Sequence, residues 1–262
     1  VGHYLQALAE KLEAGGASRR YWVMKSSGGL FDSEAARAHP EELVESGPAA
    51  GVIGAASVAR DLGIPDIISF DMGGTTAKIA LIEDYTPQTA KTFEVARTMR
   101  FKKGSGMPIS IPVIEMIEIG AGGGSIAFVP ELTGALRVGP ESAGAVPGPA
   151  AYMKGGDKPT VCDANVVLGY LPSDVKLGGA MTIDRDAAVA AVQTVADAMG
   201  IELMESAEGI IKIVNESMFG ALRLVSVEQG FDPRDFAMVA FGGAGPLHGN
   251  AMGILTDSWP VI

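Results

Sequence analysis

The sequence predicts an α/β fold, a mixed sheet flanked by helices, on three observations. The run IISFDMGGTTAKIALI (67–82) sets two apolar strands on either side of a Gly-Gly-Thr-Thr reversal. The pattern stays strand-dominated from 67 to 129, whereas from Asp184 onward apolar residues recur at helical spacing. Near the end, FAMVAF (236–241) reads as a buried strand that passes through GGAGPLHG (242–249) into a helix opening at Pro246. A strand, a glycine turn and a helix in that order can seat a nucleotide over the end of a sheet.

The remaining elements follow in chain order. HYLQALAEKLEAGG reads as an amphipathic helix stopped by Gly15 and Gly16. Residues 21–25 form a short strand, and SSGGL (26–30) is a turn that either faces a ligand or, as Ser-Gly turns usually do, merely connects. ESGPAAGVIGAASVARDLG (45–63) is a helix with Ser46 as N-cap and Pro48 in its first turn. Its small residues Ala49, Ala50, Gly51, Gly54, Ala55 and Ala56 allow close packing on a sheet. Ser46 and Gly47 at its N-terminus could touch a substrate or phosphate, although a satisfied cap is the plainer account of them. Further strands are expected at 93–96, 111–119 and 126–129. LRVGPESAGAVPGP (136–149) carries too much Pro and Gly for regular structure and reads as an ordered loop of the kind that often joins a site. TVCDANVVLGYL (160–171) reads as a capped helix in which Asp163 and Asn165 are candidate polar site members, capping being the plainer account of Asp163. Helices at 184–199 and 202–229 follow, the second with Ile210, Ile211, Val214, Met218, Leu222 and Val225 on one stripe and Gly230 as its stop. That stripe is core rather than a cofactor box.

Composition bounds the function. In 262 residues, 47% are apolar and the net charge is −11, so a nucleic-acid partner would need a basic face that the sequence does not display. The basic cluster Arg97, Arg100, Lys102 and Lys103 reads as a solvated loop. No run approaches the roughly 18 uncharged apolar residues of a membrane span. The single cysteine, Cys162, excludes an internal disulfide framework and a Cys-rich zinc site, which reads as a reduced, cytoplasmic protein. The chain opens on Val1 and stops at Ile262 as though entering another strand, and is expected to be a piece of a longer polypeptide.

The chemistry-bearing residues cluster in glycine turns. In the first, Gly73 and Gly74 free the backbone for close approach, Thr75 and Thr76 offer amides and hydroxyls to an anion, and Asp71 at the strand end can hold a cation. A Gly/Thr turn also closes hairpins that bind nothing. IGAGGGS (119–125) leaves almost no side chain at Gly120, Gly122, Gly123 and Gly124 before Ser125, and ordering glycines costs about 1 kcal/mol each relative to alanine. It is not a dinucleotide fingerprint, because the chain continues into the strand IAFV rather than a helix.

FDMGGTTAK, EIGAGGGSIAF, LRVGPESAGAVPGPA, PTVCDANVVLGYL and VAFGGAGPLHG, in this order, resemble the hydantoinase A/5-oxoprolinase family, which includes ATP-dependent ketone carboxylase subunits of the acetone and acetophenone type, within the actin-like ATPase superfamily. The resemblance runs from about Lys25 to His248. It implies a ribonuclease-H-like sheet in a two-lobed protein that binds ATP with Mg2+ or another divalent cation. It also implies activation of a cyclic amide or a carbonyl oxygen through a phosphorylated intermediate. By position it implies that Asp71, Gly73, Gly74, Thr75 and Thr76 cradle phosphates and metal, with Asp71 as metal ligand. Gly242, Gly243 and Gly245 would border the adenosine, and Gly122, Gly123, Gly124, Ser125 and the 139–144 loop would wall the cleft. The expected activity is that of an ATP-dependent amidohydrolase subunit opening a hydantoin- or 5-oxoproline-like ring. A ketone carboxylase subunit is the alternative, and a non-catalytic actin-like nucleotide module is a third reading.

The organisation expected on that basis is one core domain over 1–262, with a leading α/β segment (1–65), a β-rich part carrying the glycine loops (66–180) and a helical part (181–262). The family's N-terminal lobe, with its own phosphate hairpin, is absent from the sequence, so the segment alone is expected to be inactive. That lobe, a second subunit of hydantoinase B type and a small-molecule substrate are the expected partners. Two departures stand out: Lys78 replaces an acid common in hydantoinases of the family, and IEMIEIG lacks a His often found there. Lys78 is counted with Asp71, Thr75 and Thr76 as a candidate catalytic residue. Glu115 and Glu118 are nearby acids that an unbroken strand would point to opposite faces.

Overall fold

A computed structural model of the chain describes residues 1–18, 20–95, 104–174, 176–226 and 230–262. The basic cluster Arg97, Arg100, Lys102 and Lys103, the strand end at Ala96, the helix end at 227–229 and the side chain of Val225 therefore lie outside the described residues. The chain divides into two compact units, Val1–Ile67 with Ala80–Met116 and Ile68–Ile79 with Ile117–Ile262.

In the first unit, α1 (Gly2–Ala14) buries Leu5 and Ala9. Strands β1 (Trp22–Met24) and β2 (Leu30–Asp32) pair antiparallel, Met24 opposite Leu30. The turn between them is a packed connector: Gly28 has φ +84°, and a Cβ there would lie 2.8 Å from Ile53 Cδ1 and 3.0 Å from Ile114 Cδ1. Asp32 caps α2 (Ser33–Ala38) by accepting from the Glu34 and Ala35 amides. Helix α3 (Ser46–Leu62) packs on β1 through Ala49, Val52, Ala55, Ala56 and Ala59, with Gly54 exposed on the other side. Ser46 is not its N-cap, contrary to the sequence expectation. It is the first helical residue, and Glu45 holds the cap position without a side-chain bond. The cause is a 3-10 turn (Pro40–Leu43) that leads straight in, while the Ala49 amide closes the first turn on Glu45 O at 3.0 Å. Gly63, left-handed at φ +70°, ends the helix.

The next strands, β3 (Ile67–Met72) and β4 (Ala77–Glu83), carry the chain into the second unit and back. In the first unit β5 (Thr86–Pro87) pairs with the end of β4, β6 (Thr89–Ala90) pairs with β9 (Val113–Ile114), and β7 (Phe93–Val95) pairs with β8 (Met107–Ile109). The single strand expected over 111–119 is thus broken. Its first part joins β6, whereas β10 (Ile117–Ile119) joins β4, with Glu118 opposite Lys78. One straight strand cannot serve two separate ladders, and the alternation argument for Glu115 and Glu118 lapses with it.

The second unit is built on the sheet order β10–β4–β3–β13, with β13 at Ala237–Phe241. It is a mixed sheet: β10 is antiparallel to β4, while Val261 makes a parallel bridge to Met238 of β13. Ile68, Phe70, Met72 and Met238 are fully buried in it. β11 (Ser125–Phe128) pairs with β12 (Arg137–Ser142), so the proline-rich stretch expected to be irregular starts as a strand. The ladder shifts register between Ser125 and Ala127, and such a bulge lets Gly139 and Pro140 sit in a strand without donating to every rung.

Helices cover this sheet. α4 (Val161–Val167) opens on a capping box of Thr160 and Asp163. α5 (Arg185–Met199) opens on Asp184, which accepts from the Ala187 amide. α6 (Leu203–Ser226) buries Ile210, Val214, Met218 and Leu222 at four-residue spacing, the stripe expected of core. α7 (Gly245–Thr256) follows β13 and packs against it and against α6. The α/β fold with a mixed sheet flanked by helices is the one observed. Among the described residues no single helix is long and apolar enough to cross a membrane.

Candidate functional site

The 73–76 turn joins β3 to β4 and is closed by Gly73 N donating to Thr76 O at 3.0 Å. Gly74 and Thr75 are exposed. Among the described residues the amides of Gly74, Thr75 and Thr76 have no hydrogen-bond acceptor. The turn therefore presents a cluster of unspent backbone donors to solvent, the arrangement that receives an anion.

Two carbonyls of the same turn, those of Gly73 and Gly74, are taken by the poly-glycine loop. Gly123 N donates to Gly73 O at 3.0 Å and Gly124 N to Gly74 O at 2.6 Å. The loop is held in turn from behind: Gly123 O accepts from Cys162 N of α4 at 2.6 Å, and Gly124 O from Ala143 N at 2.8 Å. At Gly122 and Gly124 the missing side chains make room for the hairpin backbone. A Cβ on Gly122 would sit 2.6 Å from both Gly74 C and Thr75 N, and one on Gly124 would sit 2.8 Å from Ser142 Oγ. Ser125 is fully buried, and its Oγ accepts from Gly122 N at 2.9 Å, which staples the loop shut. The structure thus places Gly122, Gly123, Gly124 and Ser125 behind the hairpin as its brace. Ser142 and Gly144, from the 139–144 segment, are tied to each other by Gly144 N donating to Ser142 Oγ at 3.1 Å and lie against Gly124, whose added Cβ would meet both.

The third glycine turn meets the end of β3. Ala244 N donates to Met72 O at 2.8 Å. Gly242 stands at φ +89°, where a Cβ would collide with the Asp71 carboxylate and lie 2.6 Å from Met72 O. Gly245 begins α7, where a Cβ would lie 3.5 Å from Met72 N, and a Cβ on Gly243 would meet nothing within 4 Å. Asp71 is half-buried between these turns, and that burial pushes its carboxyl above the usual carboxylate range, with the nearby Lys78 cation pulling the other way. Lys78 leans towards the turn: its Nζ donates to Thr76 Oγ1 at 3.0 Å and to Glu118 Oε1 at 2.7 Å. The structure therefore gathers Asp71, Gly73, Gly74, Thr75, Thr76, Lys78, Gly242, Gly243 and Gly245 around one strand end.

Of the buried polar residues behind the turns, Asp163 and Asn165 were candidates from the sequence, whereas His248 and Asn215 were not singled out. Asp163 accepts from the Ala150 and Ala151 amides and from both the amide and hydroxyl of Thr160. It is a buried clamp rather than a ligand group, as its capping position indicates. His248 is fully buried on α7, where burial alone lowers its pKa to about 4. Its Nδ1 meets Asn215 Oδ1 at 2.7 Å and its Nε2 meets Asn165 Nδ2 at 3.3 Å, so α7 is pinned to α4 and α6. The signal available in advance was the His in GPLHG, whose partners lie too far along the chain to be found by spacing.

The donor set fits a metal held chiefly by a nucleotide. Among the described residues no group of three or more His, Cys, Asp or Glu side chains gathers to hold a metal ion. Asp71 stands as a single carboxylate beside exposed amides. A magnesium ion typically takes one or two protein carboxylates, and substrate phosphates and waters fill the rest.

A family model described as Hydantoinase/oxoprolinase matches residues 1–257. The chain is 46% identical over 252 residues to the uncharacterised protein MJ0964 of Methanocaldococcus jannaschii, covering 95% of this chain and 37% of that protein. It is 39% identical to caprolactamase subunit alpha of Pseudomonas jessenii, covering 95% of this chain and 34% of that subunit. The nucleotide-free structure of an acetone carboxylase, titled for ATP-dependent acetone carboxylation, superposes with a TM-score of 0.83 at 30% identity, over 98% of this chain and 35% of that one. The chain thus spans about a third of the length of these two relatives.

Proposed function

The chain belongs to the hydantoinase/oxoprolinase family, and from that premise we propose that it supplies the phosphate-receiving part of an ATP-dependent enzyme that opens a cyclic amide through a phosphorylated intermediate. The observation that carries the reading is the 73–76 turn, whose Gly73 and Gly74 carbonyls are committed to the loop behind it and whose amides at Gly74, Thr75 and Thr76 are left free beside Asp71. The relative named caprolactamase subunit alpha supports a cyclic amide as substrate class.

ATP, when bound, would supply the phosphoryl group that activates the amide oxygen. Asp71 would hold its divalent cation, the free amides and the Thr75 and Thr76 hydroxyls would bind phosphate oxygens, and Lys78 would neutralise charge beside Thr76. Gly242, Gly243 and Gly245 would leave room for the adenosine at the start of α7. Phosphoryl transfer needs chiefly positioning and charge neutralisation, which these groups can provide. The site would be completed by a further lobe of the same protein and by a partner subunit, in keeping with relatives named as subunits.

The fit to acetone carboxylase over nearly the whole chain favours a second reading, a ketone carboxylase subunit. One experiment separates the two. The full-length protein with its partner subunit is assayed for ADP release with a series of lactams and cyclic imides, and separately with ketones plus bicarbonate. Lactam-stimulated turnover is expected; turnover only with ketone and bicarbonate installs the second reading, and ATP turnover with neither class removes both.

A further inference from the structure

Strand β4 lies between β10 and β3 in the sheet, so a side chain on it has a neighbour on either hand. On the β10 side the register sets Glu118 directly opposite Lys78. On the β3 side the hairpin closes with Gly73 N donating to Thr76 O, and two residues back along its two arms stand Asp71 and Lys78. Residues opposite one another in neighbouring strands share a face of the sheet. Asp71, Lys78 and Glu118 therefore form a row of acid, cation and acid across three strands.

The cation is bonded to only one of these acids. Lys78 Nζ donates to Glu118 Oε1 at 2.7 Å and to Thr76 Oγ1 at 3.0 Å, whereas among the described residues no ion pair joins it to Asp71, although its charge is felt there. Because Thr76 Oγ1 accepts from the ammonium, its own O–H stays available as a donor. Asp71 is half-buried, and a carboxylate in a lower dielectric attracts a cation more strongly than one in water. Without a rival acid, Asp71 is where the ammonium would turn. It would then occupy the carboxylate that a divalent cation needs, and it would leave Thr76. Lys78 is 17% exposed and Glu118 49%, so the rival acid meets the confined ammonium from the solvent side.

We propose, resting on the phosphate-binding function proposed above, that Glu118 is a positioning residue of the nucleotide site: it draws Lys78 off Asp71 and onto Thr76. The Asp71 carboxylate is thereby left open to the divalent cation, and the ammonium is set beside the donors that receive phosphate. Glu118 itself touches neither the metal nor the nucleotide and acts through Lys78.

The test follows the magnesium concentration needed for half-maximal binding of a fluorescent ATP analogue to the full-length protein. Glu118→Gln keeps the shape of the side chain and removes its charge. The magnesium requirement is expected to rise about fivefold, because Lys78 then competes for Asp71 with the strength of one partly exposed ion pair. Glu118→Asp retains the charge and should stay within about twofold of the parent. The double variant Glu118→Gln/Lys78→Met should need no more magnesium than Lys78→Met alone, since the competitor is gone. A merely structural role for Glu118 would raise the requirement in both backgrounds. A crystal structure of metal-free Glu118→Gln should show Lys78 Nζ within about 4 Å of the Asp71 carboxylate, the reach of an ion pair. With the parent binding the analogue, an unchanged requirement in Glu118→Gln, or a rise that persists in the double variant, overturns this proposal alone. Failure of the parent to bind the analogue overturns the phosphate-binding function and this proposal together.

Discussion

If the poly-glycine loop is a brace, then a single methyl at Gly122 should damage the hairpin it supports. The added Cβ would sit 2.6 Å from Gly74 C and Thr75 N, and both obstacles are backbone, which cannot swing aside as a side chain can. Relief requires the loop or the hairpin to retreat by most of an ångström. Retreat stretches the Gly123 N to Gly73 O and Gly124 N to Gly74 O bonds, worth about 1 kcal/mol each. Overpacking itself costs about 1 to 3 kcal/mol, so a loss of about 3 to 5 kcal/mol is expected for Gly122→Ala. For a body of this size that lowers the melting temperature by roughly 6 to 20 °C. Gly74→Ala is the matched control, because nothing lies within 4 Å of a Cβ there. Its melting temperature should stay within about 2 °C of the parent. Differential scanning fluorimetry of the full-length protein measures both. A parent-like Gly122→Ala, or an equal loss in Gly74→Ala, would refute the brace.

Gly242→Ala should abolish nucleotide binding by driving a methyl into the Asp71 carboxylate at a positive φ, whereas Gly243→Ala, in open space, should bind as the parent does; titration with a fluorescent ATP analogue compares them. Lys78→Met removes the cation that offsets the burial of Asp71, so its carboxyl should titrate still higher. Metal-nucleotide binding, which needs the ionised form, should then fail at a higher pH on acidification than in the parent, and a midpoint that stays or moves down counts against Asp71 as the metal ligand. His248 has a folded pKa of about 4, below its ordinary 6.5, so the unfolded chain binds the extra proton first. Its contribution is complete above about pH 6.5 and is lost as pH falls towards 4, up to about 3 kcal/mol, and His248→Gln should lack that limb in pH-dependent urea melts.

What was legible in the sequence was what is local. The 67–82 hairpin, the α5 and α6 stripes and the passage from β13 into α7 follow from periodicity and turn chemistry within a dozen residues. What was not legible depends on pairing across the chain. Residues 111–119 are apolar enough for one strand, but β6 and β4 claim its halves for different ladders. Ser46 has the right neighbours for a cap, but the preceding 3-10 turn starts the helix one residue too early. The glycines at 122–124 suggested room for a ligand, and the structure shows what fills the space at Gly122 and Gly124. What approaches is the 73–75 backbone, fifty residues away, and no spacing rule connects the two.

The same bracing would suit the 73–76 turn to the anion-binding role proposed for it. A free Gly-Gly-Thr-Thr turn would sample many conformations, and an anion would have to order it on binding, which weakens affinity. Here the ordering is completed on folding. Each carbonyl of Gly73 and Gly74 is anchored to the loop, the loop is anchored to α4 through Cys162 N and to the end of β12 through Ala143 N, and the amides that remain face outward together. Lys78 extends the same logic to charge. Paired with Glu118, it is held against Thr76 rather than left to roam in solvent, so its cation stands beside the free donors before any ligand arrives. An acid at position 78 would instead repel phosphate and Asp71 alike, so the replacement is compatible with phosphate binding at this turn. It also gives Glu118 a positioning part that no glycine motif announces.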